Sequence, residues 1–495
     1  MFDLLIVGGG VNGAAIARDA AGRGLRVLLV EQSDLAAATS SASTKLIHGG
    51  LRYLENYEFR LVREALAERE TMLASAPHLV RELTFVLPHE AALRAAWMIR
   101  AGLFLYDHLA PRGRLAASRG VSLETGPLGA PLRDFYGRGF AYADCWVDDA
   151  RLVVAYALSA QELSAEIRVG TKLLHAERRA DRWTAFLETE GGDREEVEAR
   201  VVVNAAGPYV SQVLHGALHV PEHKHLRLVK GSHLVTRRLY EGDHAYILQN
   251  TDRRIVFAIP YEGDFTLIGS TDAPHDGPPG PVAIDEAETE YLLAAVSRCF
   301  AEPVTRDDVK WSYAGLRPLF DDGALNASVV TRDYAFDLDA GKGAPSLSIF
   351  GGKITTARRL AEHALETLAP VLPKLAPAWT QRAPLAGGEG LVGEFTPLLA
   401  RLQSEKPFLP PALALRLARA YGARVFRLLG AAESLSDLGE HFGCGFHAAE
   451  LDYLVREEWA RSADDVLWRR SKLGLHMTAA EREKVAAALR RPKAA

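Results

Sequence analysis

The chain has 495 residues, of which 48% are hydrophobic and 24% are charged, the composition of a globular protein with two or three domains. The formal net charge of −5 and the pI of about 6.4 argue against nucleic-acid binding through an overall positive field. Three cysteines, Cys145, Cys299 and Cys444, show no metal-binding spacing. We therefore expect no disulfide framework, no metal site and a reducing compartment.

The first ten residues, MFDLLIVGGG, read as a strand that begins at once. They leave no room for a charged leader, an apolar segment and a cleavage site, so we do not expect export by a signal peptide. No apolar run approaches the roughly 20 residues that span a bilayer. Attachment to a membrane surface stays open.

The N-terminal pattern predicts a strand, a glycine turn, a helix and a second strand. Residues 2–7 are mostly apolar, residues 13–22 favour helix, and RVLLVE follows as the next strand. Between them, Gly8, Gly10 and Gly13 fit G-x-G-x-x-G. The first glycine permits a tight turn, the second lets a pyrophosphate approach the backbone, and the third lets the helix pack closely. Free N–H groups at the helix start would bind the phosphates.

Glu31 ends the second strand, 18 residues after Gly13. A carboxylate at this position accepts hydrogen bonds from ribose hydroxyls, and it repels a 2′-phosphate. A phosphorylated nicotinamide cofactor is therefore disfavoured. The glycine motif by itself leaves FAD and NAD open.

Two later segments favour FAD. In VNAAGPYV, Ala206 and Gly207 follow an apolar strand and resemble the second dinucleotide contact of glutathione-reductase-type flavoproteins, although a plain Gly-Pro turn gives the same pattern. In LSIFGGKITTARRLAEHALETL, Gly352 and Lys353 lie at the positive end of a predicted helix, which would face the flavin N1/O2 edge. Three segments so far apart predict one non-covalently bound FAD held by most of the chain.

A loop of small residues, AAATSSASTKL at 36–46, follows Glu31. Its hydroxyl groups can serve the cofactor phosphates or ring, whereas a flexible linker would have a similar composition. We predict the cofactor-lining role. The full set of predicted cofactor contacts is Gly8, Gly10, Asn12, Gly13, Glu31, Thr39, Ser40, Ser43, Thr44, Lys45, Leu46, Ala206, Gly207, Gly352, Lys353 and Thr355.

Several longer motifs resemble the FAD-dependent, respiratory, quinone-linked glycerol-3-phosphate dehydrogenases, in particular the aerobic bacterial type. They are GGGVNGAAIARDAAGRGL, ATSSASTKLIHGGLRYLE, ADCWVDDARLV, VNAAGPYV, YAGLRPL and FGGKITTARRLAEHAL, and they keep the family order. The C-terminal SDLGEHFG and EWARSADDVLWRRSKLGL resemble the family's helical cap domain, so the match covers nearly the whole chain.

The resemblance implies oxidation of sn-glycerol 3-phosphate to dihydroxyacetone phosphate, with hydride passing from C2 to FAD and electrons passing to membrane quinone. It also implies a cytoplasmic homodimer bound peripherally to the inner face of the cell membrane. The nearest alternative is a glycerol-3-phosphate oxidase, which uses O2 and produces H2O2. An amine or amino-acid oxidase and a non-enzymatic flavin-binding protein are more distant alternatives.

The implied fold is α/β: a Rossmann-like FAD-binding domain of the glutathione-reductase/D-amino-acid-oxidase type, an antiparallel sheet that binds substrate, and a helical cap. We predict a discontinuous FAD-binding domain within 1–388, at about 1–85, 140–225 and 330–388. The substrate-binding domain would occupy about 86–139 and 226–329, and the helical domain 389–495. Strand-rich segments with a YEGD hairpin turn indicate a sheet that covers the flavin and excludes water.

Two arginines are the predicted phosphate ligands, since a phosphate monoester favours planar, permanently charged donors. Arg52 lies in HGGLRY, and Arg317 lies between Gly315 and Pro318. Each would ordinarily be read as a solvated surface side chain. Their match to the family's motifs favours the substrate role.

The predicted general base is His48, because an imidazole can take the C2 hydroxyl proton near neutral pH. His233, in VKGSHLV, is the rival. Lys353 stands at a helix start that disfavours a cation, which indicates a nearby anion. Tyr53 would donate a hydrogen bond to substrate, and a buried packing ring is the equal alternative.

Residues 93–115, LRAAWMIRAGLFLYDHLAPRGRL, combine aromatic and basic side chains. An interfacial membrane helix and an ordinary amphipathic helix packed on the protein fit this makeup equally. From about residue 389 the pattern becomes helical, and Ser462 three residues before Asp465 predicts a capping box.

Overall fold

The computed structural model describes residues 1–252, 254–321 and 333–491. Twenty strands occur in these ranges. In chain order they are β1 (Phe2–Val7), β2 (Val27–Glu31), β3 (Leu46–Ile47), β4 (Val80–Pro88), β5 (Arg119–Ser122), β6 (Arg138–Val147), β7 (Glu166–Val169), β8 (Thr171–Arg178), β9 (Trp183–Thr189), β10 (Arg194–Asn204), β11 (Leu226–Arg237), β12 (Ala245–Gln249), β13 (Ile255–Tyr261), β14 (Phe265–Gly269), β15 (Ala273–Pro274), β16 (Val309–Phe320), β17 (Tyr334–Asp339), β18 (Ser346–Gly351), β19 (His441–Gly443) and β20 (Phe446–His447).

The same ranges contain twelve α-helices, besides short 3₁₀ and π turns. They are α1 (Val11–Gly22), α2 (Phe59–Ser75), α3 (Ala96–His108), α4 (Asp149–Glu162), α5 (Val210–Val213), α6 (Glu286–Cys299), α7 (Ala357–Leu368), α8 (Thr396–Glu405), α9 (Pro411–Tyr421), α10 (Val425–Leu429), α11 (Ala448–Glu457) and α12 (Ala479–Arg490).

The first sheet has the order β17-β18-β10-β1-β2-β7, and its strands from β18 to β7 are parallel. Its central strands are apolar on both sides because both faces are covered, as is usual in parallel sheets. Ile16 of α1, Leu152 of α4 and Leu360 of α7 belong to the core on one face. Trp183 and Leu214 belong to the core on the other. The carboxyl ends of β1 and β10 therefore lie side by side, where ligands bind in this architecture.

The second sheet has the order β15-β11-β14-β13-β12-β4-β6-β3, with β16 paired to β11 and β5 to β6. Its pairs are antiparallel except β4–β12, which is parallel. The predicted YEGD turn joins β13 to β14. The predicted fold class is confirmed, with this one parallel pair as a difference.

Helices α8–α12 and the hairpin β19–β20 enclose a separate apolar core. The predicted capping box is present: Ser462 and Asp465 exchange hydrogen bonds between backbone N–H groups and side chains. The buried pair Arg470–Asp34, at 2.7 Å, joins this helical part to the loop that follows β2. Trp468 stacks on Trp311 of the second sheet, with ring centroids 4.7 Å apart.

The predicted domain division stays a prediction. Strands β4 and β6 both belong to the second sheet, so the sheet extends past the predicted segment ends near 85 and 140. The boundary at 329/330 lies outside the described residues.

Candidate active site

A cavity of about 2050 Å³ is bounded by both sheets. Small-molecule pockets usually measure about 300–1,000 Å³, so this one has room for a dinucleotide and a small substrate together. The predicted site residues that line it are Gly8, Gly10, Asn12, Glu31, Thr39, Ser40, Ser43, Thr44, Leu46, His48, Arg52, Tyr53, Ala206, Gly207, Arg317, Gly352, Lys353 and Thr355. Gly13, Lys45 and His233 lie outside its lining.

The glycine turn has the predicted geometry. Gly8 has φ +112°, a conformation that a residue with a side chain rarely adopts. A Cβ on Gly13 would clash with the carbonyl of Gly8, so only glycine allows α1 to approach β1 this closely. Helix α1 begins at Val11, whose N–H donates to Ser40 Oγ at 3.0 Å. The turn thus presents open backbone and a helix N-terminus to the cavity.

Glu31 occupies the end of β2 as predicted. Its carboxylate accepts N–H groups from Gly9 at 2.7 Å and from Ser33 at 2.8 Å. Burial raises the pKa of Glu31, and these two hydrogen bonds act against the rise. Each carboxylate oxygen keeps a further acceptor position for a ribose hydroxyl.

The loop at 36–46 is anchored at several points, unlike a flexible linker. Thr39 Oγ1 donates to the Leu316 carbonyl of β16 at 2.6 Å. Ser43 Oγ donates to Asp149 Oδ2 at 2.7 Å. Asp149 is fully buried in the first turn of α4 and was missed from the sequence. The doubled acid in VDDARLV, directly before an apolar helix, is the signal that could have identified it.

The predicted cofactor role of the Lys45 side chain is not what the structure shows. Its Nζ lies 2.8 Å from Asp149 Oδ1 and donates to the Ser41 carbonyl at 3.1 Å. The side chain is 1% exposed and does not line the cavity. A buried ammonium needs a carboxylate partner, so Lys45 stabilises the loop behind the cofactor segment.

His48 lines the cavity. Burial lowers its pKa from the ordinary 6.5; Asp144 opposes this change, while Lys353 and Arg69 add to it. The imidazole is therefore neutral at neutral pH and able to accept a proton.

His233 is fully buried behind the 36–46 loop. Its Nε2 lies 2.9 Å from Thr44 Oγ1, and its ring stacks on Tyr313 with centroids 4.6 Å apart. Burial holds the pKa of His233 well below 6.5. The geometry therefore favours His48 over His233 as the group that meets substrate.

Arg317 is held in place by three oxygen atoms. Its Nη1 donates to the Thr271 carbonyl at 3.0 Å and to Asp272 Oδ1 at 2.5 Å, and its Nη2 donates to Ser270 Oγ at 2.6 Å. Gly231 on β11 faces the guanidinium, and a Cβ there would overlap it. The sequence pointed to Arg317 but not to Ser270 or Gly231, which lie far from it along the chain.

Arg52, Tyr53 and Lys353 line the cavity near each other. Lys353 Nζ lies 4.1 Å from the centroid of the Tyr53 ring, a cation–π contact. Tyr53 thus packs against a cation, which is closer to the packing alternative than to the predicted donor role. Arg52 forms no hydrogen bond or ion pair with the residues that the structure describes, and its guanidinium is partly exposed.

The two later glycine segments meet the first one. Asn12 Nδ2 donates to the Gly351 carbonyl at 3.3 Å, and a Cβ on Gly352 would press on the Asn12 amide. Asn12 Oδ1 is buried without a partner among the described residues. Gly207 has φ +56°. Helix α7 begins at Ala357 after a 3₁₀ turn at Ile354–Thr356, so the α-helix starts later than we predicted.

These features fit a bound FAD. The open glycine turn can bind a pyrophosphate, and Glu31 can accept hydrogen bonds from a ribose. Asn12 Oδ1, which has no partner among the described residues, can accept a hydrogen bond from the cofactor. The three glycine-containing segments that line the cavity follow β1, β10 and β18, whose carboxyl ends are adjacent in the sheet.

Comparison with known proteins agrees with this site. A family described as "FAD dependent oxidoreductase" matches residues 3–394, and "C-terminal domain of alpha-glycerophosphate oxidase" matches residues 378–491. A glycerol-3-phosphate dehydrogenase of Pseudomonas aeruginosa is 54% identical over 480 residues, which are 97% of this chain and 93% of that protein. A D-erythritol 1-phosphate dehydrogenase of Brucella abortus is 50% identical over 483 residues, 97% of this chain and 96% of that protein.

A solved structure is similar over nearly its whole length. The glycerol-3-phosphate dehydrogenase from Bacillus halodurans complexed with FAD has 26% identity and a TM-score of 0.74, and the match covers 99% of this chain and 94% of that one. The chain therefore belongs to the FAD dependent oxidoreductase family, in the group that contains the glycerol-3-phosphate dehydrogenases, and its cofactor is FAD.

Proposed function

We propose that this protein oxidises sn-glycerol 3-phosphate to dihydroxyacetone phosphate and passes the electrons to membrane quinone. The observation that supports this most is that Arg52, Arg317 and His48 line the same cavity as the FAD-binding glycine turn. A phosphate group favours guanidinium donors, and an alcohol that loses a hydride needs a base for its proton. Bound FAD supplies the hydride acceptor.

In this proposal each side chain has one task. Arg317, fixed by Thr271 and Asp272, donates to the substrate phosphate. Arg52 supplies a second donor. His48 accepts the proton of the C2 hydroxyl at its unprotonated ring nitrogen. The second sheet covers the site and excludes water, which strengthens these charged contacts.

The variant Gly231→Ala tests the Arg317 clamp. The added methyl would overlap the guanidinium, which must then move from its position. We expect KM for glycerol 3-phosphate to rise about 10- to 100-fold, roughly the loss of one charged hydrogen bond. Steady-state kinetics measure this change. Gly120→Ala is the control, because a Cβ on Gly120 meets no atom within 4 Å. An unchanged KM in Gly231→Ala would remove Arg317 from the phosphate site.

A second substrate deserves testing, since the Brucella abortus relative at 50% identity is a D-erythritol 1-phosphate dehydrogenase. Turnover of the purified enzyme is measured with glycerol 3-phosphate, D-erythritol 1-phosphate and glycerol. We expect the highest kcat/KM with glycerol 3-phosphate and no turnover of glycerol. A higher kcat/KM with D-erythritol 1-phosphate would show that the four-carbon ester is the substrate, and it would leave the proposed phosphate site unchanged.

The electron acceptor separates the proposal from a glycerol-3-phosphate oxidase. Turnover is compared with a quinone analogue and with O2, and peroxide is measured in both. We expect turnover chiefly with the quinone analogue. Stoichiometric peroxide with O2 at an equal rate would favour the oxidase.

Helix α3 supports peripheral membrane attachment because it is apolar on two sides, whereas a helix merely packed on the protein has a polar outer face. The buried side carries Ile99, Leu103 and Tyr106. The outer side exposes Trp97 (72%), Met98 (51%), Phe104 (57%) and Leu105 (36%). Met98 and Leu105 also line the cavity, so a quinone in the membrane would meet an apolar route towards FAD.

The four arginines of residues 93–115 contribute less to membrane binding than their number indicates. Each has a partner within the protein: Arg94 with Glu55, Arg100 with Ser118, Arg112 with Asp107, and Arg114 with the backbone at 392–393. Apolar side chains would therefore dominate binding. In the described ranges, no helix is both long and apolar enough to cross a membrane.

The double variant Trp97→Gln/Phe104→Gln tests the membrane surface. Burial of two aromatic side chains is worth several kcal/mol, so we expect vesicle binding to weaken at least about tenfold. Cosedimentation with vesicles of bacterial lipids measures it. The double variant Leu415→Gln/Leu435→Gln, at exposed sites of the helical part, is the control. Unchanged vesicle binding of the α3 variant would exclude α3 as the main anchor.

The proposed location is the cytoplasm, at the inner face of the cell membrane. The homodimer stays a prediction from the family resemblance. Sedimentation equilibrium of the detergent-solubilised protein tests it, and a monomer would contradict it.

A further inference from the structure

A buried polar cluster lies directly behind the His48–Gly49 segment. It consists of Asp144 on β6, Tyr106 on α3 and Arg69 on α2, with exposed fractions of 1%, 3% and 5%. Tyr106 donates its hydroxyl to Asp144 Oδ2 at 2.7 Å, and Arg69 Nη1 donates to Asp144 Oδ1 at 2.6 Å. None of these three side chains lines the cavity, so direct contact with substrate or FAD does not account for the cluster.

The cluster holds the backbone next to His48. The N–H of Gly49 donates to Tyr106 Oη at 2.8 Å and lies 3.4 Å from Asp144 Oδ1. A Cβ on Gly49 would collide with the Tyr106 hydroxyl and with Leu66, so the segment fits tightly against α2 and α3. The Tyr106 hydroxyl therefore bridges the Gly49 N–H and the Asp144 carboxylate.

The same carboxylate acts on the imidazole electrostatically. The charged groups that act on the pKa of His48 are Asp144 from β6, Arg69 from α2 and Lys353 from the turn before α7. Asp144 raises the pKa of His48, whereas burial and the two cations lower it. Burial, with Asp144 nearby, raises the pKa of Tyr106 well above 10, so its hydroxyl stays protonated and donates to Asp144.

We propose that Tyr106 and Asp144 are positioning residues for His48: the Tyr106 hydroxyl fixes the Gly49 backbone, and Asp144 orients that hydroxyl. The inference rests on the proposed role of His48 as the base in oxidation of the phosphate ester. A small displacement of a reacting group can cost on the order of 100-fold in rate. A hydroxyl that touches neither substrate nor FAD can therefore control the rate.

The test is Tyr106→Phe in the FAD-loaded enzyme, with anaerobic flavin reduction by glycerol 3-phosphate followed in a stopped-flow instrument. We expect the limiting rate constant to fall about 10- to 100-fold while the apparent Kd for the ester changes much less, since Arg317 is held by a separate set of contacts. The matched control is Tyr246→Phe. This variant also removes a buried hydroxyl, which donates to the Leu128 carbonyl at 2.7 Å, and Tyr246 does not line the cavity. It should lose comparable thermal stability and keep the wild-type rate.

Asp144→Asn gives a second measurement. Asparagine keeps an acceptor for Tyr106 but lacks the charge that raises the pKa of His48. The acid limb of the reduction rate should therefore move to lower pH, while the plateau rate falls less than in Tyr106→Phe. A wild-type rate in Tyr106→Phe or an equal fall in Tyr246→Phe would overturn the positioning role of Tyr106, and an Asp144→Asn variant with both the wild-type rate and the wild-type acid limb would overturn the role of Asp144. Failure of wild-type enzyme to be reduced by glycerol 3-phosphate would instead overturn the proposed function.

Discussion

The His48→Asn variant is expected to be reduced by glycerol 3-phosphate about 10²- to 10⁴-fold more slowly than the wild-type enzyme, the usual contribution of a general base. Asparagine is close in size and polar, but it cannot take up the C2 hydroxyl proton. Because His48 lines the cavity and is held neutral, it is the group whose loss should matter most. The measurement is the limiting rate constant of anaerobic flavin reduction.

Two other histidines provide the controls for this variant. His244→Asn alters a buried imidazole whose pKa is also lowered by burial but which lies away from the cavity lining, and it should keep the wild-type rate. His233→Asn should cost less than about tenfold, because His233 does not line the cavity and contacts it through other residues such as Thr44. If His233→Asn were the slower variant, the assignment of the base would be reversed.

The pH dependence of flavin reduction in the wild-type enzyme should also depend on His48. A base whose pKa is lowered from 6.5 stays unprotonated at neutral pH. The reduction rate should therefore be constant through neutrality and fall only below pH 6.5, and His48→Asn should lose this acid limb.

Arg317→Ala is the second variant with a large expected effect. Removal of one partner of a desolvated charge pair typically costs about 2–5 kcal/mol, which corresponds to a fall in kcat/KM of about 30- to 4,000-fold. The loss should appear with glycerol 3-phosphate in steady-state turnover, while FAD content stays at the wild-type level, because Arg317 contacts Ser270, Thr271 and Asp272.

Arg178→Ala is the matched control for Arg317→Ala. Arg178 also binds an aspartate and a carbonyl, those of Asp339 and Ala344, but at the edge of the first sheet. It should lower stability and leave kcat/KM within about twofold. A similar kcat/KM for wild type and Arg317→Ala would show that the phosphate binds elsewhere.

Local patterns predicted the strands and the glycine turn at the start of the chain. The boundaries of β1 and β2 and the glycine turn between them follow from apolar periodicity and from the conformations that only glycine permits. The hairpin between β13 and β14 follows from its turn residues in the same way. In each case the deciding interactions lie within a few residues along the chain.

The positions of the other site residues depend on contacts between segments that are distant along the chain. The sequence around Lys45 is compatible with a side chain that faces either FAD or Asp149. The packing of α4 against the loop places Asp149 next to Lys45. The exclusion of His233 from the cavity depends on the β11–β16 pairing and on Tyr313 above it. The Tyr106–Asp144 cluster joins α3 to β6 and leaves no periodic signal in either.

The most direct test of the account is an anaerobic titration of the purified FAD-loaded protein with glycerol 3-phosphate, glycerol and glycine in turn. Loss of the visible flavin absorbance reports reduction, and addition of a quinone analogue or O2 then reports reoxidation. Bleaching by glycerol 3-phosphate alone, with reoxidation chiefly by the quinone analogue, is the predicted result. Bleaching by glycine, or by glycerol as readily as by its phosphate ester, would contradict it.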